Sequence, residues 1–302
     1  MTTRAFQPTL PELLVEEKVR HALLEDLGRA GDITTQAVIG SDRQATARLN
    51  AREPGVLAGI NFARAAFRLV DPAIRFDTLA FDGERLSPGQ DIAIISGPAQ
   101  GVLSAERVAL NFLMHMSGVA THTARYAAEI AHTSARITCT RKTLPGLRAA
   151  EKYAVRVGGG SSHRYGLDDA ILIKDNHVAV AGGVGAAIRA ARGFAGHLVK
   201  VEVEVDGLEQ FEEALAEGPD VVLLDNMGPA LLTVAVSMNR KLSGLSVDDY
   251  PRNRRRVLLE ASGNVSLDTV REIAETGVDY ISTSKITMAA PTLDLGLDIG
   301  VV

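Results

Sequence analysis

Tryptophan is absent from this 302-residue chain, aromatic residues make up only 4% of it, and there is one cysteine, Cys139. With few stacking platforms, and with 32 basic against 37 acidic residues for a net charge of -5, the chain lacks the electrostatic footprint of a nucleic-acid binder. One thiol cannot close an internal disulfide, and the opening MTTRAFQPTLPELLVEEKVR has no apolar signal-peptide core, so a reducing cytoplasm is expected. No apolar run approaches the ~20 residues of a membrane span, and a soluble protein is expected. A GxSxG elbow, an HExxH helix and a CxxC pair are also missing. Cys139 lies within an apolar strand pattern and reads as a packed thiol rather than a nucleophile.

What is present is a globular balance of 46% apolar and 23% charged residues, over a length at which a single core gives way to two domains. Residues 12–25 carry apolar positions at helical spacing. Residues 43–103 read as short strands broken by turns, with the alternating ATARLNAR, the turn SPGQ at 87–90 and the strand DIAIIS at 91–96. From Ser104 helical periodicity runs to about residue 132 across Gly118, as a helix linking two domains. The expected division is an N-terminal α+β domain over 1–118, with 290–302 returning to it, and a second domain over 119–289.

In the second part, strands at 136–139, 170–173, 198–205, 220–224, 256–260 and 278–282 alternate with helical stretches including 207–217, 227–238 and 266–276. That alternation predicts parallel βα units, in an open doubly wound sheet or a barrel. About 170 residues are fewer than the ~250 of an eightfold barrel, so an incomplete α/β barrel with fewer than eight strands is expected. In LVKVEVEVD, valines 199, 201, 203 and 205 share one face, and Lys200, Glu202, Glu204 and Asp206 share the other. A polar face suits a barrel lumen better than the centre of an open sheet, which is apolar on both sides. An edge strand with one wet face is the alternative.

Barrel chemistry collects at the carboxyl ends of strands. Those positions hold Thr140, Arg141 and Lys142; Lys174, Asp175, Asn176 and His177; Glu204 and Asp206; Asp225 and Asn226; Ser262, Gly263 and Asn264; and Thr283, Ser284 and Lys285. Arg141, Lys142, Lys174 and the pair His163–Arg164 form a cationic set that suits an anion with several charges. Glu204, Asp206 and Asp225 suit a hard cation such as Mg²⁺ shared with phosphate. Ser262-Gly263-Asn264 and Ser282-Thr283-Ser284 read as small-residue loops that present backbone N–H groups to phosphate. GGGSSHR at 158–164 lacks the strand and helix of a dinucleotide fingerprint. His115 and His122, on the linking helix, read as structural. A Schiff base on Lys142 or Lys174 would need a desolvated amine, and the neighbouring Arg141 and Asp175 predict ion pairing instead.

The run TRKTLPGLRAAEKYAVRVGGGSSHRYGLDDAILIKDNH resembles the quinolinate phosphoribosyltransferase family, as do EDLGRAGDITT at 25–35, SAERVALNFLMHMSGVAT at 104–121 and VEVEVDGLEQ at 201–210. The resemblance runs from about residue 12 to 300 and implies an N-terminal open-faced α/β sandwich with a C-terminal barrel of fewer than eight strands. It implies Mg²⁺-dependent transfer of phosphoribosyl from 5-phosphoribosyl 1-pyrophosphate to quinolinate, giving nicotinate mononucleotide, pyrophosphate and CO₂ in NAD biosynthesis. Arg107, Arg141, His163, Arg164 and Lys174 would surround the two carboxylates of quinolinate, and Lys142 would be shared toward the sugar. Glu204 and Asp225 would serve the metal and ribose, and 262–264 and 282–284 the 5′-phosphate. The resemblance also implies a homodimer or hexamer in which Arg107 reaches the partner's site.

The chain departs from the family pattern at Ser162, where asparagine is usual, at Ser284, where many bacterial members have glycine, and in a long segment at 239–256 that reads as a mobile polar loop. A molybdenum-operon paralogue acting on another aromatic acid and a Schiff-base barrel lyase are the alternatives.

Overall fold

The computed structural model describes residues 8–242 and 257–301. The chain runs through α1 (Glu12–Leu27), α2 (Ile33–Val38), β1 (Gln44–Ala51), β2 (Gly55–Val56), α3 (Ile60–Val70), β3 (Arg75–Thr78), β4 (Arg85–Leu86), β5 (Asp91–Pro98) and α4 (Ala99–Glu129). It continues with β6 (Arg136–Thr138), α5 (Arg148–Val157), β7 (Ile171–Ile173), α6 (Asp175–Ala181), α7 (Val184–Phe194), β8 (Val201–Val205), α8 (Leu208–Glu217), β9 (Val221–Asp225) and α9 (Pro229–Leu242). The remaining elements are β10 (Leu258–Ser262), α10 (Val270–Glu275), β11 (Tyr280–Ser282) and β12 (Leu295–Val301).

Two compact units result. The first takes residues 1–124, 144–159 and 289–302, and the second takes 125–143 and 160–288. This differs from a single cut at 118/119, because 119–124 and 144–159 go with the first unit. Close packing inside that unit gives the reason: a Cβ on Gly158 would lie 2.3 Å from the carbonyl oxygen of Ala120. The buried Glu151 of α5 also bonds His115 of α4 at 2.9 Å.

The first unit holds an antiparallel sheet in the order β12-β1-β5-β3. On β1, Ala45, Ala47, Leu49 and Ala51 are buried, while exposed Arg48 pairs with Asp91 at 2.6 Å on the other face. That period of two gives a sheet covered on one side. The strand-rich reading of 43–103 missed α3, where Ile60, Ala63 and Phe67 recur at helical spacing and are buried. Asp82 holds the start of α3 by accepting from the N–H groups of Gly59 and Ile60 at 2.9 and 3.0 Å. Gly118 is required on α4 because a Cβ there would lie 2.0 Å from the carbonyl oxygen of Pro291.

The second unit holds six parallel strands in the order β6-β11-β10-β9-β8-β7. From β7 to β11 each strand lies beside the next in sequence, with no reversal of direction along the sheet. Right-handed crossovers then put every helix on the same face, which curls the sheet into an incomplete barrel rather than a doubly wound layer. Beyond β6, Ser161 adds a parallel bridge to Thr138. Strand β8 is shorter than the expected 198–205: Leu198 is exposed, and Lys200 lies outside the strand and pairs with Asp220 at 2.6 Å. Of the long segment 239–256, residues 239–242 close α9 and 243–256 lie outside the described residues.

Candidate active site

The carboxyl ends of the barrel strands enclose a cavity of about 640 Å³. Period-two alternation selects its walls. Leu172 and Lys174 enter from β7 and its end, Glu204 from β8, Leu223 and Asp225 from β9, Glu260 and Ser262 from β10, and Ser282 and Ser284 from β11 and its end. The intervening residues Val203, Val205, Leu224, Ala261 and Ile281 are buried on the opposite face. The polar face expected for 198–206 therefore contracts to Glu202 and Glu204.

Of the residues anticipated from the sequence, Thr140, Arg141, Lys142, His163, Arg164, Lys174, Glu204, Asp225, Ser262, Gly263, Asn264, Ser282, Thr283 and Ser284 all line this cavity. Two do not. Asp206 lies one residue past β8, is exposed, and its N–H donates to Gln210 Oε1 at 3.2 Å. Arg107 lies exposed on α4, in the first unit. Asn226 and Lys285, also expected at strand ends, line it too, and Glu260 and Val265 complete the lining without having been anticipated. Glu260 was legible in principle, since it stands two residues before Ser262 and shares its face.

Backbone ties fix the cationic rim. Thr287 Oγ1 donates to the carbonyl oxygen of Lys142 at 2.8 Å, Lys142 N–H donates to Thr140 Oγ1 at 3.0 Å, and Thr283 N–H donates to the carbonyl of Thr138 at 3.1 Å. Arg164 Nη1 donates to the carbonyl of Ala170 at 3.1 Å, while its Nε is buried without a hydrogen-bond partner. Burial, and then the like charge of Arg141, push the Arg164 guanidinium below its ordinary pKa. A desolvated guanidinium beside a second arginine is a receptor that an anion would complete.

The acids divide by depth. Lys174 Nζ pairs with Glu204, and Asn226 Nδ2 donates to Asp225 Oδ2 at 2.7 Å near the cavity mouth. Glu202 and Glu260 are buried around His163, whose Nε2 lies 2.9 Å from Glu202 and 3.8 Å from Glu260. Gly263 at φ +91° and Asn264 at φ +52° turn the chain after β10, and Asn226 at φ +54° turns it after β9. A Cβ on Gly263 would meet Asn226 Oδ1 at 2.1 Å, so this loop packs too tightly for a side chain there. The expected helix after the loop begins only at Val270, four residues later than the sequence spacing suggested.

Comparison with known proteins bears on this cavity directly. Residues 32–117 match the N-terminal domain, and residues 119–298 the C-terminal domain, of quinolinate phosphoribosyl transferase. The chain belongs to the quinolinate phosphoribosyltransferase family. It is 44% identical to the nicotinate-nucleotide pyrophosphorylase [carboxylating] of Mycobacterium leprae, over 94% of this chain and 96% of that protein. It is 40% identical to the probable enzyme of that name from Synechocystis sp., over 96% of this chain and 94% of that protein. The nicotinate-nucleotide pyrophosphorylase structure from Francisella tularensis superposes with a TM-score of 0.88 at 37% identity, covering 97% of this chain and 98% of that one. The two family domains meet between residues 117 and 119, within α4.

Proposed function

We propose that the cavity at the barrel strand ends is where this chain carries out its family's reaction, the transfer of phosphoribosyl from 5-phosphoribosyl 1-pyrophosphate to quinolinate with loss of CO₂. The observation that carries the placement is the convergence of Arg141, Lys142, Arg164 and Lys174 on one cavity that also holds the carboxylates of Glu204, Asp225 and Glu260 and two small-residue loops. In this reading Arg141 and Arg164 receive the carboxylates of quinolinate. Lys174 stands with them on the side of the acid, and Lys142 is shared toward the sugar. Residues 262–264 and 282–284 hold the 5′-phosphate through backbone N–H and hydroxyl groups.

Glu204 and Asp225 offer hard oxygen donors on the sugar side of the same cavity, a donor set that suits Mg²⁺. When bound there with the pyrophosphate, Mg²⁺ supplies charge neutralisation for the leaving group. The chain's own residues do the positioning. The pyridine nitrogen carries no proton and needs no general base, so the protein has to align it with C1 of the ribose, an effect that supplies about 7–11 kcal/mol. Glu204 and Asp225 face the positive charge that develops on the sugar as pyrophosphate departs. Once the ring nitrogen is quaternised it stabilises the carbanion left as the adjacent carboxylate departs as CO₂, and a proton from water then takes its place on that ring carbon.

Arg107, exposed on α4, would serve the site of a second copy, which makes the assembly a homodimer or a multiple of one. A Schiff base on Lys174 is disfavoured by its ion pair with Glu204, which engages the nitrogen that would have to attack a carbonyl. The test is a comparison of quinolinate with nicotinate, following nicotinate mononucleotide and CO₂. Nicotinate leaves part of the cation set unpaired, and at about 1.5–3 kcal/mol per charged hydrogen bond its specificity constant should be at least ~10-fold lower. Equal constants for the two acids would overturn the placement.

A further inference from the structure

Residue type groups His163 with the cations, and its hydrogen bonds place it apart from them. The ring is mostly buried, with 12% of the side chain exposed. Its Nδ1 accepts the backbone N–H of Arg164 at 2.9 Å. An N–H aimed at Nδ1 requires a lone pair there, because a protonated Nδ1 would set two hydrogens against each other across 2.9 Å. The single ring proton is then on Nε2, which donates to Glu202 Oε2 at 2.9 Å. Both nitrogens are thereby committed to protein groups.

We propose that His163 works as a neutral imidazole in its Nε2–H form, a positioning residue that receives no carboxylate of the substrate. Its ring joins two elements of the site. Through Nδ1 it fixes the peptide of Arg164, whose buried Nε lacks a partner. Through Nε2 it fixes the buried Glu202 on β8. The charge that meets the substrate at this corner belongs to Arg164, and His163 sets its direction.

The same geometry decides against a metal at this spot. His163, Glu202 and Glu260 bring potential ligand atoms within 4.8 Å of one another, the spacing of a three-ligand site. A cation on Nε2 would need the lone pair of that nitrogen while Nδ1 also keeps its own, which leaves an imidazolate. Metal-bound histidines normally donate from the second nitrogen, and here that nitrogen accepts.

The functional half of this inference rests on the substrate reading above, and the structural half does not, so two experiments separate them. The first is a long-range ¹H–¹⁵N correlation spectrum of the full-length protein labelled at its seven histidines, at pH 7, with the His163 signals assigned by their loss in His163→Gln. The neutral Nε2–H pattern is expected, unchanged on adding Zn²⁺ or Mg²⁺. An imidazolium pattern, an Nδ1–H pattern or a metal-induced shift would overturn the proposal. The second is steady-state kinetics. Glutamine keeps an N–H toward Glu202 and carries no charge, so the KM for quinolinate in His163→Gln should stay within ~3-fold of the parent, whereas Arg164→Gln should raise it ~10-fold or more. His163→Ala, which can donate to nothing, should lose kcat, with glutamine restoring most of it. A rise in KM in His163→Gln as large as in Arg164→Gln would show that His163 binds substrate through its charge. An unchanged KM in Arg164→Gln would instead defeat the substrate placement and leave the spectroscopic result standing.

Discussion

Gly263→Ala tests how the loop after β10 is built. Gly263 sits at φ +91°, where an L residue costs about 1–2 kcal/mol. The new methyl would also lie 2.1 Å from Asn226 Oδ1 and 3.0 Å from Asn226 Cα, so rotating the amide away does not clear the backbone contact. Such overpacking typically costs 1–3 kcal/mol, and a total of about 3 kcal/mol is expected. At 2–4 °C per kcal/mol the melting temperature should fall by about 6–12 °C. Asn226 is also the hydrogen-bond partner of Asp225, so the displacement reaches the side of the cavity that we assign to the sugar. The KM for phosphoribosyl pyrophosphate should rise ~10-fold, equivalent to about 1.4 kcal/mol, while quinolinate affinity by calorimetry changes less than ~2-fold. Gly193→Ala is the control, because it lies within α7, where a Cβ meets nothing within 4 Å. A Gly263→Ala protein that melts with the parent and keeps its KM would refute the account of this loop.

Glu204→Ala and Asp225→Ala should each cut Mg²⁺-dependent turnover while quinolinate still binds in a calorimeter, and loss of quinolinate binding in both folded variants would contradict their place on the sugar side. Mixing an Arg107→Ala subunit with a Lys142→Ala subunit should restore activity as subunits exchange, since one site of the mixed dimer then keeps both residues; exchange without recovery would return Arg107 to its own chain. Asp32 accepts the Thr35 N–H at 2.9 Å at the start of α2, and its bonds to the Thr35 hydroxyl and N–H hold its carboxyl below the ordinary range. A carboxyl lowered in the folded state adds stability above its unfolded pKa and loses it as pH falls through the folded value. Asp32→Ala should therefore cost about 1 kcal/mol near pH 7 and progressively less as the pH falls below about 4, and a pH-independent difference in melting temperature would rule this out.

The barrel was legible because its signals are local. Each strand is a short apolar run with a polar end, and composition and length exclude eight repeats. Helix α3 was not legible as a helix, since INFARAAFRLV lies among strand-like segments and its periodicity competes with the turn chemistry around it. The assignment of 144–159 to the first unit was also hidden, because it depends on long-range packing such as that of Gly158 against Ala120. Within the site, residues at strand ends were found by position, while Glu260 was passed over because a glutamate inside an apolar run reads as part of a strand. The state of His163 was beyond the sequence for a different reason. Charge class can be read from residue type, but a tautomer depends on what each nitrogen faces.

Strand order explains why so many cations can share one cavity. Because β7 to β11 succeed one another without reversal, the helices all pack outside and every second strand residue faces the lumen. A lumen filled with branched apolar residues would leave Arg141 and Arg164 opposed by nothing except each other, and burial, followed by their mutual repulsion, already lowers the Arg164 pKa. Glu202 acts in the opposite direction on the same guanidinium, from a position where His163 holds it. The buried acids thus offset part of the like-charge cost before substrate arrives, and the remainder is relieved when an anion binds. Removing Glu202 should then harm the empty protein more than the liganded one, so quinolinate should raise the melting temperature of Glu202→Gln by more than it raises the parent's. An equal ligand-induced shift in the two proteins would mean that the acid floor supports packing and takes no part in balancing the cationic rim.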